Sequence, residues 1–140
     1  MKIAALSAAL ALIAAPAFAQ DAADITFTFD VGEPTGRIMV ALYDSEAAYG
    51  GSGGPARVAQ LDVSGPTAIA HFAGLPAGDY AMKAFHDVDG DGEMDTNPFG
   101  MPTEPFAFSN NAVGNMGPAR WDRARFTATG SVAQTINLAH

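Results

Sequence analysis

The stretch "DYAMKAFH", residues 79–86, decides the fold. Tyr80, Met82, Ala84 and His86 form one row, and Lys83 and Phe85 form the other. A repeat of two is the signature of a strand with one buried face. The same alternation recurs along the chain. Ile25, Phe27 and Phe29 share a face opposite Thr26 and Thr28. Ile38, Val40 and Leu42 alternate with Arg37, Met39 and Ala41, and Ala68, Ala70 and Phe72 alternate with Ile69 and His71. Ala124 and Phe126 alternate with Arg123, Arg125 and Thr127. At the end of the chain, Val132, Gln134, Ile136 and Leu138 alternate with Ala133, Thr135 and Asn137. A weaker strand is expected over residues 57–63.

Turn chemistry separates these rows: "VGEPTG", "YGGSGGP", "SGPT", "GLPAGD" and "TGS". No segment has the 3.6-residue period of an amphipathic helix of ten or more residues, although "WDRA" fits one helical turn. About seven short strands imply an all-β fold, an antiparallel two-layer sandwich. An outer-membrane barrel would need an apolar outward band. The outward rows carry Arg37, Lys83, Arg123, Arg125 and threonines, which argues against one.

The first 19 residues stand apart. Lys2 precedes an apolar run over residues 3–15, and Ala17-Phe18-Ala19 is an A-x-A cleavage site. This is the pattern of a cleaved signal peptide, so the single folded domain is expected at residues 20–140 and its location as periplasmic or secreted. The apolar run is too short for a comfortable span, and no transmembrane segment is expected in the mature form.

The chain has no cysteine, hence no disulfide framework, thiolate site or cysteine nucleophile. Its formal net charge is −8, and loss of Lys2 would leave six Lys/Arg against fifteen Asp/Glu, or −9. Such a balance excludes nucleic acid as a partner, because phosphates require a basic footprint. It suits divalent cations.

Directly after the deciding strand comes "HDVDGDGEMDTN", residues 86–97. Asp87, Asp89 and Asp91 occupy positions 1, 3 and 5 of a calcium-loop pattern, with Gly92 at the turn position. Glu93 at position 7 can offer its backbone carbonyl, and Asp95 at position 9 can bind directly or through water. Calcium takes 6–8 oxygens, and alternating carboxylates supply them from a short chain. Position 12 is Pro98 rather than glutamate, and a strand precedes the loop, so this is not the helix–loop–helix hand. Glu104, Asn97, Asn110 and Asn111 are available to complete the set. The competing reading is a solvated acidic turn, since Asp-Gly pairs are ordinary turn formers.

The segment 87–120 is long for a connection and rich in large apolar residues, so one long ordered loop is expected over an end of the sandwich. Enzyme chemistry is the alternative: a small periplasmic hydrolase using His86 and Glu104, with Ser109 or the Asn110–Asn111 pair. No Gly-x-Ser-x-Gly elbow surrounds Ser109. A third possibility is a partner protein that uses exposed strand faces and no pocket. Arg120, Arg123 and Arg125 around Trp121 read as a solvated face with the ring capping the core.

The run from Phe72 to "GPARWDRARF" resembles the family catalogued as domain of unknown function 2141. The shared features are Leu75-Pro76-x-Gly78-x-Tyr80-Ala81, then His86-Asp87 with its glycine loop. Gly100-x-Pro102-x-Glu104 and Phe108-Ser109-Asn110-Asn111 follow, then Trp121-x-x-Ala124-x-Phe126. One departure is "PFAF", residues 105–108, where members often carry a glycine before the Phe-Ser-Asn-Asn. The resemblance implies an exported bacterial protein with an immunoglobulin-like or transthyretin-like sandwich, and no agreed activity. "LPAGDYAMKAF" is also similar to carboxypeptidase-regulatory and collagen-adhesin B-type sandwich repeats, mostly structural or binding modules. Together these readings lead to an exported β-sandwich binding or accessory module with a calcium loop, its ligand a protein or a carbohydrate.

Overall fold

The computed structural model describes residues 22–138. The expected signal segment, residues 1–19, lies outside the described residues, as do residues 20–21 and 139–140 of the expected domain. Within them the strands are β1 (Ala22–Asp30), β2 (Arg37–Tyr43), β3 (Arg57–Asp62), β4 (Thr67–Pro76), β5 (Gly78–Asp87), β6 (Phe106–Phe108), β7 (Phe126–Ala128) and β8 (Gly130–Asn137). Two single helical turns accompany them, α1 (Glu46–Tyr49) and α2 (Trp121–Ala124).

The architecture is an all-β sandwich. One sheet has the order β4-β1-β8 and the other β3-β2-β5-β6, with β7 paired to the start of β5. Pairing is antiparallel except for β1 with β8, which run side by side in the same direction.

The alternating rows explain the layers. Ile25, Phe27, Phe29 and Ile136 from one sheet and Ile38, Leu42 and Met82 from the other are fully buried in one cluster. Each such side chain contributes roughly 1.5–3 kcal/mol of burial free energy. β3 is an edge strand, which accounts for its weak pattern: Ala59 and Leu61 are only half-buried and Val58 is exposed. Half-buried Thr26 and exposed His71 pair across β1 and β4, as their outward row requires.

The long segment after β5 is broken by β6, which returns along β5 and puts Ala107 into the core. Residues 88–105 connect β5 to β6, with Val88, Asp89, Asp95, Thr103 and Glu104 set near Gly32, Glu33 and Leu138 at the end of β5. A 3-10 turn at Ser109–Asn111 follows, and Asn110 and Asn111 tie it to Gln134, Thr135 and Asn137 of β8. The chain then crosses the outer face of the five-stranded sheet. There Tyr49, Ala81, Phe108, Ala119 and Ala124 make a second, smaller cluster, joined by Trp121. Ala124 differs from the expected alternation: it ends the α2 turn, and the strand starts at Phe126. The turn forms because the Arg123 and Ala124 amides both donate to the Arg120 carbonyl.

Candidate metal centre

β5 carries the candidate site at its end. Asp87 is the last residue of the strand, on the outer face, in register with Arg37 of β2. Gly36 sits against this point with φ +73°, and a Cβ there would lie 2.1 Å from the Asp87 carbonyl oxygen. Only glycine allows that approach. Arg37 Nη2 donates to the Gly90 carbonyl at 2.9 Å and so pins the loop to the sheet. The loop then turns at Gly90 and Gly92, whose φ values of +74° and +82° lie in the left-handed region.

The carboxylates gather along the loop, with Asp89 and Asp91 exposed and Asp95 half-buried. Asp87 is fully buried, and its Oδ2 accepts from the Gly92 amide at 2.8 Å. Its Oδ1 is buried and has no hydrogen-bond partner. Asp89 accepts from the Asp91 amide and Asp91 from the Glu93 amide, at 3.2 and 2.9 Å. Glu104, nearly buried, bridges the loop from behind: Oε1 accepts from the Val88 amide and Oε2 from the Asp95 amide, at 3.2 and 3.3 Å. Two triads result, Asp87 with Asp89 and Asp91, and Asp89 with Asp95 and Glu104, each with carboxylate oxygens within 4.8 Å of one another. Asp89 belongs to both.

The crowding shows in the protonation preferences. Burial opposes the charge on Asp87, yet the Gly92 amide, the Asp89 carboxyl, the Gly90 amide and the Arg37 charge hold its carboxyl below the ordinary value. At Asp89 the Asp91 amide favours the charge. Desolvation, the hydrogen bond with Asp87 and the charges of Asp91 and Asp95 outweigh it and raise the carboxyl. Asp95 is raised by desolvation and by the charges of Asp91 and Glu104. A cation between the triads would relieve this repulsion.

Residues 29–136 match the family described as "Uncharacterized protein conserved in bacteria (DUF2141)". The chain belongs to this family. No curated protein and no solved structure matches it. The DUF2141 region runs from the end of β1 into β8, so it contains the acidic loop and most of both sheets.

Within this DUF2141 domain the structure sorts the sequence-derived candidates. Asp87, Asp89, Asp91 and Asp95 converge with Glu104. The Glu93 carboxylate joins neither triad. The Asn97 side chain turns back on its own loop and accepts from the Phe99 and Met101 amides. Asn110 and Asn111 are bound to β8 and to the α2 region. Ser109 is buried, accepts from the Met82 amide and donates to the Ala124 carbonyl. Met82 lies four residues along β5 from His86, about 13 Å at strand rise, so Ser109 and His86 do not meet. His86 does share a cleft of about 640 Å³ with Asp89, Asp95, Glu104 and Leu138. Its Nε2 donates to the Thr35 carbonyl and its buried Nδ1 has no partner.

Sequence reasoning missed Gly36 and Arg37 as supports of the loop. The only available signal was a turn glycine followed by an arginine at the start of a strand, and nothing local ties it to a loop fifty residues later.

Proposed function

We propose that the protein is an exported binding or accessory module whose loop of residues 87–95 holds a divalent cation. Asp87, Asp89, Asp91 and Asp95 supply oxygens, Glu93 adds its carbonyl, and Glu104 closes the shell from behind. The observation that supports this reading is the buried, unpartnered Asp87 Oδ1 beside two triads of converging carboxylates. A buried charged oxygen without a donor is costly, and a cation removes the cost. The donor chemistry favours calcium. All candidate ligands are oxygens, which suits a hard cation, whereas zinc favours nitrogen and sulfur. Magnesium demands a stricter octahedron and keeps several waters. The hydrolase alternative keeps His86 and Glu104 at one cleft, but Ser109 does not join them, its hydroxyl bound to the Met82 amide and the Ala124 carbonyl.

The test is thermal unfolding after chelation, with calcium and magnesium titrated back. A cation that binds only the folded chain adds ~2.7 kcal/mol at 100 times its dissociation constant. A saturable rise with calcium, absent in the Asp89→Asn/Asp91→Asn double variant, is the expected result. A midpoint that stays fixed up to millimolar calcium overturns the assignment.

A further inference from the structure

The outer face of the five-stranded sheet carries a second concave site that the acidic loop does not use. The register builds it in two cross-strand rows. Gln60, Met39, Phe85 and Phe106 lie side by side, and below them Val58, Ala41, Lys83 and Phe108. An outward sheet face exposed to water is ordinarily polar; this one is not. Two stretches of the long segment rise beside it, one with Met94 and Met101 and the other with Met116 and Pro118, and together they enclose a groove of about 900 Å³. Four of the chain's six methionines line it. The size and apolar, aromatic lining are those of a small-molecule site, and methionine adapts its shape to varied apolar ligands.

One charged residue lines the groove, Lys83. Its ammonium donates to the Tyr49 carbonyl at 2.6 Å and lies 4.2 and 5.1 Å from the Tyr49 and Tyr43 ring centroids. It is half-buried and forms neither of the two ion pairs among the described residues. An ammonium has three donors, and one is used. Among the described residues no acidic side chain pairs with this cation, which is set at the wall of an apolar groove. That placement selects a ligand with an apolar body and one anionic head.

We propose that this groove binds a single-chain amphiphile of the free fatty acid type, its chain along Phe85, Met39 and the methionine walls and its carboxylate on Lys83. The site stands on the groove alone and does not require the cation reading.

The experiment is isothermal titration of the protein with dodecanoate, 1-dodecanol and dodecyltrimethylammonium, each below its micelle concentration. Dodecanoate is expected to bind saturably, about tenfold more tightly than the alcohol, since a charge-assisted contact replaces a neutral one. The cationic chain is expected to bind worst. Lys83→Met should bring dodecanoate and dodecanol together while preserving dodecanol binding, a loss that misfolding would not produce. Phe85→Asp should abolish all binding, and Ile69→Asp, on the outer face of the other sheet, should change none of it, with folding of each checked by thermal unfolding. No saturable binding by the folded protein overturns the proposal, as does equal binding of all three ligands. Two further results do the same. One is a dimer in solution that Phe85→Asp dissociates, which would make a second copy the occupant. The other is cosedimentation with anionic phospholipid vesicles without dodecanoate binding, which would make a membrane the occupant.

Discussion

The two ends of one strand face present opposite problems. At the end of β5, Asp87 buries a carboxylate oxygen that no donor reaches. Four residues earlier on the same face, Lys83 half-buries an ammonium that no carboxylate among the described residues pairs with. The two cannot answer each other, because about 13 Å of strand separates them and Phe85 lies between. The acidic end crowds polar groups and calls for a hard cation; the other end clears them away and calls for an apolar body with an anionic tip. One fold offers both because a sheet face repeats every second residue, so Asp87, Phe85 and Lys83 share an outlook while the next strands and loops decide their surroundings. The two regions also share a wall. Met94, between Glu93 and Asp95 of the acidic loop, lines the groove, as do Gly100, Met101 and Pro102 beyond it.

The largest effect should come at the contact that fixes the end of β5. Gly36→Ala would drive a Cβ to within 2.1 Å of the Asp87 carbonyl at a positive φ. Backbone strain of this kind costs ~1–3 kcal/mol before the clash is counted. A fall in the unfolding midpoint on the order of 10 °C is expected, together with loss of any calcium response. A variant with the wild-type midpoint would show that Gly36 does not set the geometry of the loop.

Asp87→Asn sharpens the comparison by acting on one region only. It keeps the shape, removes the charge and leaves Arg37 and Gly90 in place. The calcium gain of ~2.7 kcal/mol at 100 times the dissociation constant should disappear, while dodecanoate affinity in calcium-free buffer stays at the wild-type value. If groove binding falls with it, the regions are not separable.

The shared wall makes a third expectation. Calcium that orders residues 88–105 should tighten dodecanoate binding by about fivefold or more, and dodecanoate must then tighten calcium by the same factor. Isothermal titration of each ligand with the other saturating reads this directly. Unchanged affinities in both directions would break the link and leave two independent sites.

What was legible in the sequence follows from what is local. The buried rows Ile25-Phe27-Phe29, Ile38-Val40-Leu42 and Tyr80-Met82-Ala84 could be read directly, because alternation is a property of the strand itself. So could the turn at Gly92 and the convergence of Asp87, Asp89 and Asp91, which lie within five residues. β6 was hidden: it has three residues and follows Pro105, and it exists only because β5 offers an open edge. Glu104 was visible as a spare ligand, but its grip on the Val88 and Asp95 amides depends on the chain folding back. The groove could not be read at all. Met39, Phe85 and Phe106 sit in separate stretches, and only the strand register lines them up. The same non-local register brings Arg37 and Gly36 to Asp87.

The smallest effect is the most specific to the groove. Desolvation lowers the ammonium of Lys83 from its ordinary 10.5. A carboxylate ligand prefers the protonated form, so its binding should hold at neutral pH and weaken as pH rises through the lowered value. The carboxylate stays ionised throughout, since such groups titrate near pH 4–5. The ligand therefore does not set the sign: loss of the Lys83 proton removes the charge that the head contacts, and affinity falls by up to about tenfold per unit until it meets that of dodecanol. Tyr49 does not interfere, because burial, with a smaller contribution from Tyr43, pushes its phenol up to about 12. Dodecanol binding should be flat over the same range, and in Lys83→Met both ligands should be flat. Measured alkaline titration of this kind separates the two ends of β5 cleanly, since the carboxylates at Asp87 have long since lost their protons. A dodecanoate affinity that stays constant past pH 10.5, in protein shown to remain folded, would detach the anionic head from Lys83 and leave the groove a site for neutral apolar ligands.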